Sequence, residues 1–299
     1  MSDPVFHGVK LSSPEKVLYP EQGITKRALA EYYDAVAEWM LPHVVNRPIS
    51  LVRCPAGRAK KCFFQRHAGS GVPPQLSEKE IPGFEDSGAY LYIKNVSGLM
   101  ALVQMGVLEM HPWGSCIDKP EKPDRVIFDL DPGAGLSFVD VIAAAKELHA
   151  FLKQLGLVSF VKTTGGKGLH IVVPTARRSS WPQVKAFAKR VGELMTQEAP
   201  ERYLTRISIA ERRGKIFIDY LRNDPTSTAV GPYSTRAREG APVATPLAWK
   251  ELMPKLDPKA FDIRSVPKRL GRLHSDPWAG MARLAQKLPN LPDLQLPTR

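Results

Sequence analysis

The chain of 299 residues is longer than most single domains and long enough to bury a core of its own. Its 43% hydrophobic and 24% charged residues are ordinary for a globular protein, which excludes a disordered, fibrous or collagen-like chain. The 42 Lys and Arg exceed the 30 Asp and Glu, giving a formal charge of +12 at pH 7, and such a surplus points to a polyanionic partner, nucleic acid first.

Cys54, Cys62 and Cys116 match neither a C-x-x-C pair nor a Cys/His metal spacing. A disulfide scaffold and a structural zinc are therefore both poor readings, and buried free thiols are expected. There is no apolar stretch of membrane-spanning length, and Met1-Ser2-Asp3-Pro4 lacks the basic and apolar blocks of a signal peptide. A soluble, cytoplasmic protein without a membrane partner is expected.

In chain order, Leu29, Tyr32, Tyr33, Val36, Trp39 and Met40 recur at helical spacing, with Thr25 as N-cap and Pro42 ending the run. Short apolar pieces broken by Pro and Gly follow, with strands expected at 49–53 and 62–65. The alternation then becomes regular: strand 90–94, helix 97–104, strands 107–110 and 125–130, helix 138–155, strands 159–162 and 169–173, helix 182–197 and strand 215–221. The proline-rich tail beyond residue 240 reads as a strap with short helical pieces at 247–253 and 277–286. The expected layout is one domain over 1–299, divided into an N-terminal layer (1–87), an α/β core (88–237) and the strap (238–299).

The sharpest local signal is Arg125-Val126-Ile127-Phe128-Asp129-Leu130-Asp131-Pro132-Gly133. On a strand, alternation puts Asp129 and Asp131 on one face and Leu130 on the other. Two adjacent carboxylates repel and are most easily kept ionised by a divalent cation, for which oxygen ligands suit Mg²⁺ or Mn²⁺. Asp131 alone also fits a simple turn with Pro132 and Gly133. A third carboxylate, Asp219, ends the apolar run Lys215-Ile216-Phe217-Ile218. Three convergent aspartates suffice for two cations roughly 4 Å apart, the arrangement that clamps attacking and leaving oxygens in nucleotidyl transfer.

Between two expected strands lies Lys162-Thr163-Thr164-Gly165-Gly166-Lys167-Gly168-Leu169-His170. Glycines let backbone N–H groups approach an anion, and Thr164, Lys167 and His170 add donors, so the segment reads as a phosphate cradle; the plainer reading is a flexible hairpin turn. It is not a Walker A loop, because Val161 and Gly168 stand where that motif needs Gly and Ser or Thr. Arg222 and Arg236 are suited to triphosphate oxygens. Phe63 and Phe64 lie within a basic stretch and could stack on bases, although a buried core pair fits the sequence equally well. Lys16 and Lys26 flank a turn containing Pro20 and Gly23 and could converge on a terminal phosphate.

Together, Asp129-Leu130-Asp131-Pro132, Thr164-Gly165-Gly166-Lys167-Gly168-Leu169-His170 and Ile218-Asp219-Tyr220-Leu221-Arg222-Asn223 resemble the three motifs of the polymerase domain of bacterial ligase D, of the archaeo-eukaryotic primase superfamily. The likeness runs from Lys16-Val17-Leu18-Tyr19-Pro20 to Asp276-Pro277-Trp278. It implies an α/β core of two packed sheets flanked by helices, and templated nucleotide addition to a DNA 3′-hydroxyl at breaks or gaps, in non-homologous end joining. It also implies that Asp129, Asp131 and Asp219 hold two Mn²⁺ or Mg²⁺ ions, and that His111, Thr164, Lys167, His170, Arg222 and Arg236 meet an NTP or dNTP, with ribonucleotides preferred. Phe63 and Phe64 would stack near the templating base, and Lys16 and Lys26 would grip the 5′-phosphate of gapped or primer-template DNA; Ku and a ligase are the implied partners. The family usually has Ser where Thr164 stands, and the hydroxyl is retained. No Lys-x-Asp-Gly adenylation signature is present, since Lys255-Leu256-Asp257 is followed by Pro258, so ligation by this chain alone is not expected.

Two rival readings differ in class. Val126-Ile127-Phe128-Asp129-Leu130-Asp131 mimics the nucleophile strand of haloacid-dehalogenase-type phosphohydrolases, although Pro132-Gly133 replaces the usual Gly-Thr. A non-catalytic DNA-end binding module would account for the basic charge but not for the aspartates or the cradle.

Overall fold

The computed structural model describes residues 3–84, 88–206 and 210–294. The fold is mixed α/β with several sheets, as expected, and the chain divides into two compact units. The first comprises residues 1–120, 230–245 and 259–276, and the second 121–229, 246–258 and 277–299. The proline-rich tail is thus shared between the two units. Among the described residues no helix is long and apolar enough to cross a membrane.

In the first unit, β1 (Val5–Phe6) pairs with β2 (Val9–Lys10), and β3 (Val17–Tyr19) with β4 (Ile24–Thr25). Thr25 then caps α1 (Lys26–Val44), its Oγ1 accepting from Ala28 N at 3.2 Å. The apolar stripe buries Leu29, Tyr32, Tyr33, Val36 and Met40 as the spacing predicts, while Trp39 is only partly buried. Pro42 does not end the helix: α1 continues to Val44, and Val45 N donates to Leu41 O at 3.0 Å. Pro42 lacks its own N–H donor and crowds the carbonyl four residues before it, yet with only two helical residues left after it the final turn still closes through Val45 N.

Strand β5 (Ile49–Arg53) has the expected bounds and pairs with β6 (Phe63–Gln65); β7 (Ser77–Lys79) pairs with β8 (Tyr90–Tyr92). Helix α2 (Val96–Gln104), capped by Asn95, leads to β9 (Val107–Pro112), which pairs with β5 and runs two residues beyond the expected end. Cys54 and Cys62, expected as free thiols, form a disulfide just beyond the Arg53↔Phe63 pair, and Cys116 is not disulfide-bonded. The eight-residue separation gave no hint of this, because the pairing arises from the register of β5 and β6. The later segments of this unit include a short helix, Ser265–Leu270, that the sequence reading did not anticipate.

The second unit is a six-stranded sheet with helices. It contains β10 (Arg125–Pro132), α3 (Phe138–Gln154), β11 (Phe160–Thr163), β12 (Leu169–Pro174), α4 (Trp181–Glu198), β13 (Tyr203–Leu204), β14 (Ile216–Asp219) and β15 (Pro246–Leu247). The strand order is β13-β14-β10-β12-β11-β15, antiparallel except for β13 with β14. Both long helices start on capping boxes: Asp140 accepts from Ser137 N at 2.7 Å, and Gln183 from Ser180 N at 2.8 Å. Val126, Phe128 and Leu130 of β10 are fully buried on one face, where Gly192 of α4 packs closely against Ile218. On the other face Ile127, Val172 and Phe160 form a cross-strand row packed with Ala229, Trp278 and Met281. The expected short helical pieces of the tail are single 3₁₀ turns, Trp249–Glu251 and Met281–Arg283, the first of them preceded by β15.

Candidate active site

Asp129 lies next to Ile127 on the same face of β10, where the apolar row gives way to charge. The register makes Asp219 and His170 its direct partners on the two neighbouring strands. Paired residues point to the same side of a sheet, so β14, β10 and β12 contribute one carboxylate, a second carboxylate and an imidazole to a single row. Asp131 follows two residues along β10 on that face, opposite Phe217. Asp129 and Asp219 are each 5% exposed. Arg222 bridges them, its Nε 3.3 Å from Asp129 Oδ2 and 3.3 Å from Asp219 Oδ2.

Two backbone devices hold this row. Asn223, almost fully buried, clamps β10: Ile127 N donates to its Oδ1 at 2.8 Å, and its Nδ2 donates to Ile127 O at 2.7 Å. This ties the turn carrying Arg222 to the strand carrying Asp129. Gly133 ends β10 where a Cβ would lie 1.6 Å from Arg212 O, so only glycine permits that crossing. The Arg212 guanidinium stacks over Phe217 with its carbon 3.9 Å from the ring centroid.

The glycine segment is the hairpin between β11 and β12. Thr164 N donates to Gly168 O at 3.3 Å, Thr164 is buried, and Lys167 is exposed. A Cβ on Gly168 would meet Leu130 O at 2.6 Å and Asp131 Oδ1 at 3.1 Å, so the absent side chain is what lets the hairpin lie against Asp131.

The electrostatics sort the carboxylates. Burial, then Asp129 nearby, pushes Asp131 up to about 6 against the pull of Arg222. Asp219 is also raised, by burial before Asp129, again opposed by Arg222. Burial works to raise Asp129 too, yet the surrounding His170, Arg222 and Lys162 hold it at about 2. His170 is itself driven down to about 4 by burial and by Lys162, so near neutrality it is an uncharged imidazole and the cations acting on Asp129 are Arg222 and Lys162.

Carboxylate oxygens of this kind are chemically suited to a divalent cation. Asp129 Oδ1 is buried without a hydrogen-bond partner, with His170 Nε2 3.3 Å away. Asp131 is a carboxylate whose ionisation a cation would favour. Among the described residues no three His, Cys, Asp or Glu side chains are grouped closely enough to enclose an ion; Asp129 and Asp219 are instead arranged around Arg222.

The remaining predicted residues lie in the first unit. Lys16 and Lys26 flank the β3–β4 hairpin, and Lys26 N donates to Lys16 O at 2.9 Å. Lys26 is buried, donates from Nζ to Ser12 O at 2.7 Å, and has its pKa lowered by burial and then by Lys16. Phe63 and Phe64 on β6 are 42% and 49% exposed, so they are not a core pair. The guanidinium carbons of Arg53 and Arg66 stand 5.3 and 5.7 Å from their ring centroids. His111 and Arg236 share Glu109: His111 Nε2 donates to Oε2 at 2.8 Å, and Arg236 Nε lies 2.9 Å from the same oxygen. Tyr19 OH donates to Arg236 O, and Ala237 N donates to Glu109 Oε1, which fix this arrangement. Sequence reasoning gave Glu109 no role, although Glu-x-His on a strand places both side chains on one face.

Comparison with known proteins gives the same class, a nucleotide-adding enzyme of primase-polymerase type. The family model "LigD, primase-polymerase domain" matches residues 25–278. The multifunctional non-homologous end joining protein LigD of Pseudomonas aeruginosa is 38% identical over 285 residues, covering 94% of this chain and 34% of that protein. The bifunctional LigD of Bacillus subtilis is 30% identical over 271 residues, covering 90% of this chain and 43% of that protein. Among solved structures, the polymerase domain from Mycobacterium tuberculosis ligase D in complex with DNA superposes with a TM-score of 0.86 at 31% identity, covering 93% of this chain and 99% of that one.

The chain belongs to the LigD primase-polymerase domain family and is a DNA-directed nucleotidyltransferase. It spans about a third to two fifths of the length of these two curated relatives. The family assignment sets aside the phosphohydrolase reading.

Proposed function

We propose that this chain adds nucleotides, under template direction, to a DNA 3′-hydroxyl at breaks and gaps, within non-homologous end joining beside Ku and a ligase activity. The observation that carries the reading is the row of Asp219, Asp129 and His170 on three adjacent strands, with Asp131 and the glycine hairpin at its edge. Asp129, Asp131 and Asp219 hold two divalent cations. When bound, these lower the pKa of the primer 3′-hydroxyl and offset charge on the triphosphate and the departing pyrophosphate.

The chain's own groups bind and orient. Arg222 exchanges its carboxylate partners for triphosphate oxygens, as its two-armed geometry allows. Thr164 and Lys167 on the hairpin bind phosphate oxygens, and His170 donates as a neutral imidazole. The family pattern also assigns nucleotide contacts to His111 and Arg236, base stacking to Phe63 and Phe64, and the 5′-phosphate to Lys16 and Lys26. Exposed aromatics beside cations and a buried lysine next to an exposed one support those assignments.

The experiment is extension of a primer across a gapped duplex, with Mn²⁺ or Mg²⁺, with rNTP or dNTP, and with or without a 5′-phosphate. Incorporation should be fastest with Mn²⁺, rNTP and the phosphate. Equal rates with and without the phosphate would remove Lys16 and Lys26 from the reading, and a dNTP preference would remove the ribonucleotide assignment.

A further inference from the structure

Lys162 of β11 is a lysine only 2% exposed, and none of the roles above uses it. The register extends the active-site row to it: Asp219 faces Asp129, Asp129 faces His170, and His170 faces Lys162. All four side chains leave one face of the sheet, and the Lys162 charge acts on both His170 and Asp129. The neighbouring row on the same face, built from the same three strands, is Ile127, Val172 and Phe160. An apolar side chain is therefore compatible with β11 two residues away, whereas burying an ammonium carries a desolvation cost that such a residue avoids.

We propose that Lys162 is a positioning residue for nucleotide addition. Its side chain continues the row of Asp219, Asp129 and His170 on one face of the sheet, where a positive charge beside His170 and Asp129 favours the approach of an anionic triphosphate. It acts through His170 and does not touch the nucleotide. The inference rests on the nucleotidyl-transfer reading.

The test is steady-state gap filling and thermal unfolding of the unaltered chain, Lys162→Met and Lys162→Arg. In Lys162→Met the KM for nucleotide should rise about tenfold with a smaller change in kcat, less than the roughly 10²–10³ lost when a group touching the reacting atoms is removed. Thermal unfolding checks that Lys162→Met remains folded at the assay temperature, so that a raised KM reports on nucleotide addition and not on loss of the fold. Lys162→Arg, which keeps the charge, should recover most of kcat/KM. An unchanged KM in Lys162→Met, or a Lys162→Arg protein no better than Lys162→Met, would overturn the inference; should the Met variant not fold, Lys162→Gln is read by the same criteria. No incorporation by the unaltered chain would instead remove the nucleotidyl-transfer reading, and this inference with it.

Discussion

Asn223 grips Ile127 at both backbone groups, accepting from its N–H and donating to its carbonyl. Two residues beyond Ile127 lies Asp129, and one residue before Asn223 lies Arg222, so this clamp sets the distance between a carboxylate and its guanidinium.

Asn223→Ala should therefore destabilise the chain by about 2–3 kcal/mol, because it leaves a buried donor and a buried acceptor of β10 unsatisfied. Asn223→Asp should fare little better: it keeps an acceptor for Ile127 N but turns an oxygen toward Ile127 O. Urea unfolding of the two variants checks this, and a loss below about 0.5 kcal/mol in both would contradict the clamp.

Arg222 is a cationic partner shared by Asp129 and Asp219. Arg222→Gln should lower stability by only about 1 kcal/mol, a figure discounted for solvent screening because the Arg222 side chain is 38% exposed. A divalent cation at the same carboxylates replaces the lost charge, so Mn²⁺ should raise the melting temperature of Arg222→Gln more than that of the unaltered chain. Equal shifts in a thermal melt would count against a shared role for Arg222 and the cation.

Glu109 is pulled down to about 2: burial raises it, but the hydrogen bond from His111, then Arg236, outweigh that. A depressed carboxylate contributes stability that is complete above its ordinary value of 4.5 and lost as pH falls toward 2. Glu109→Gln should accordingly flatten the fall in stability between those two values, as read from denaturant midpoints at a series of pH values. An unchanged slope would show that the pairing with His111 and Arg236 contributes nothing.

Gly168→Ala places a methyl 2.6 Å from Leu130 O and 3.1 Å from Asp131 Oδ1. The hairpin must shift away from Asp131, and incorporation should fall at least about tenfold while the fold is retained, as expected when a supporting contact is displaced by about an ångström. Retained activity in a gap-filling assay would mean that this close approach is dispensable.

Much of the architecture was readable in the sequence because it rests on local periodicity. Leu29 to Met40 announced α1, and the alternation through Asp129 announced a strand with both aspartates on one face. What stayed hidden depends on which strand lies beside which. Lys162 looked like the first residue of a glycine motif until the pairing of β11 with β12 aligned it with His170. The Cys54–Cys62 disulfide follows from the register of β5 with β6, and Glu109 gains its meaning from Arg236, more than a hundred residues away. Pro42 misled because the ring restricts the chain before it, yet a helix already formed can carry it through its last turn.

The central claim is that Asp129 and Asp131 bind the cations on which nucleotide addition depends. Gap filling by the unaltered chain, Asp129→Ala and Asp131→Ala, each with Mn²⁺ titrated after chelation, tests it most directly. Incorporation should appear only as Mn²⁺ is restored to the unaltered chain, and neither variant should extend the primer at any concentration. Extension by either alanine protein at a rate near that of the unaltered chain would contradict it.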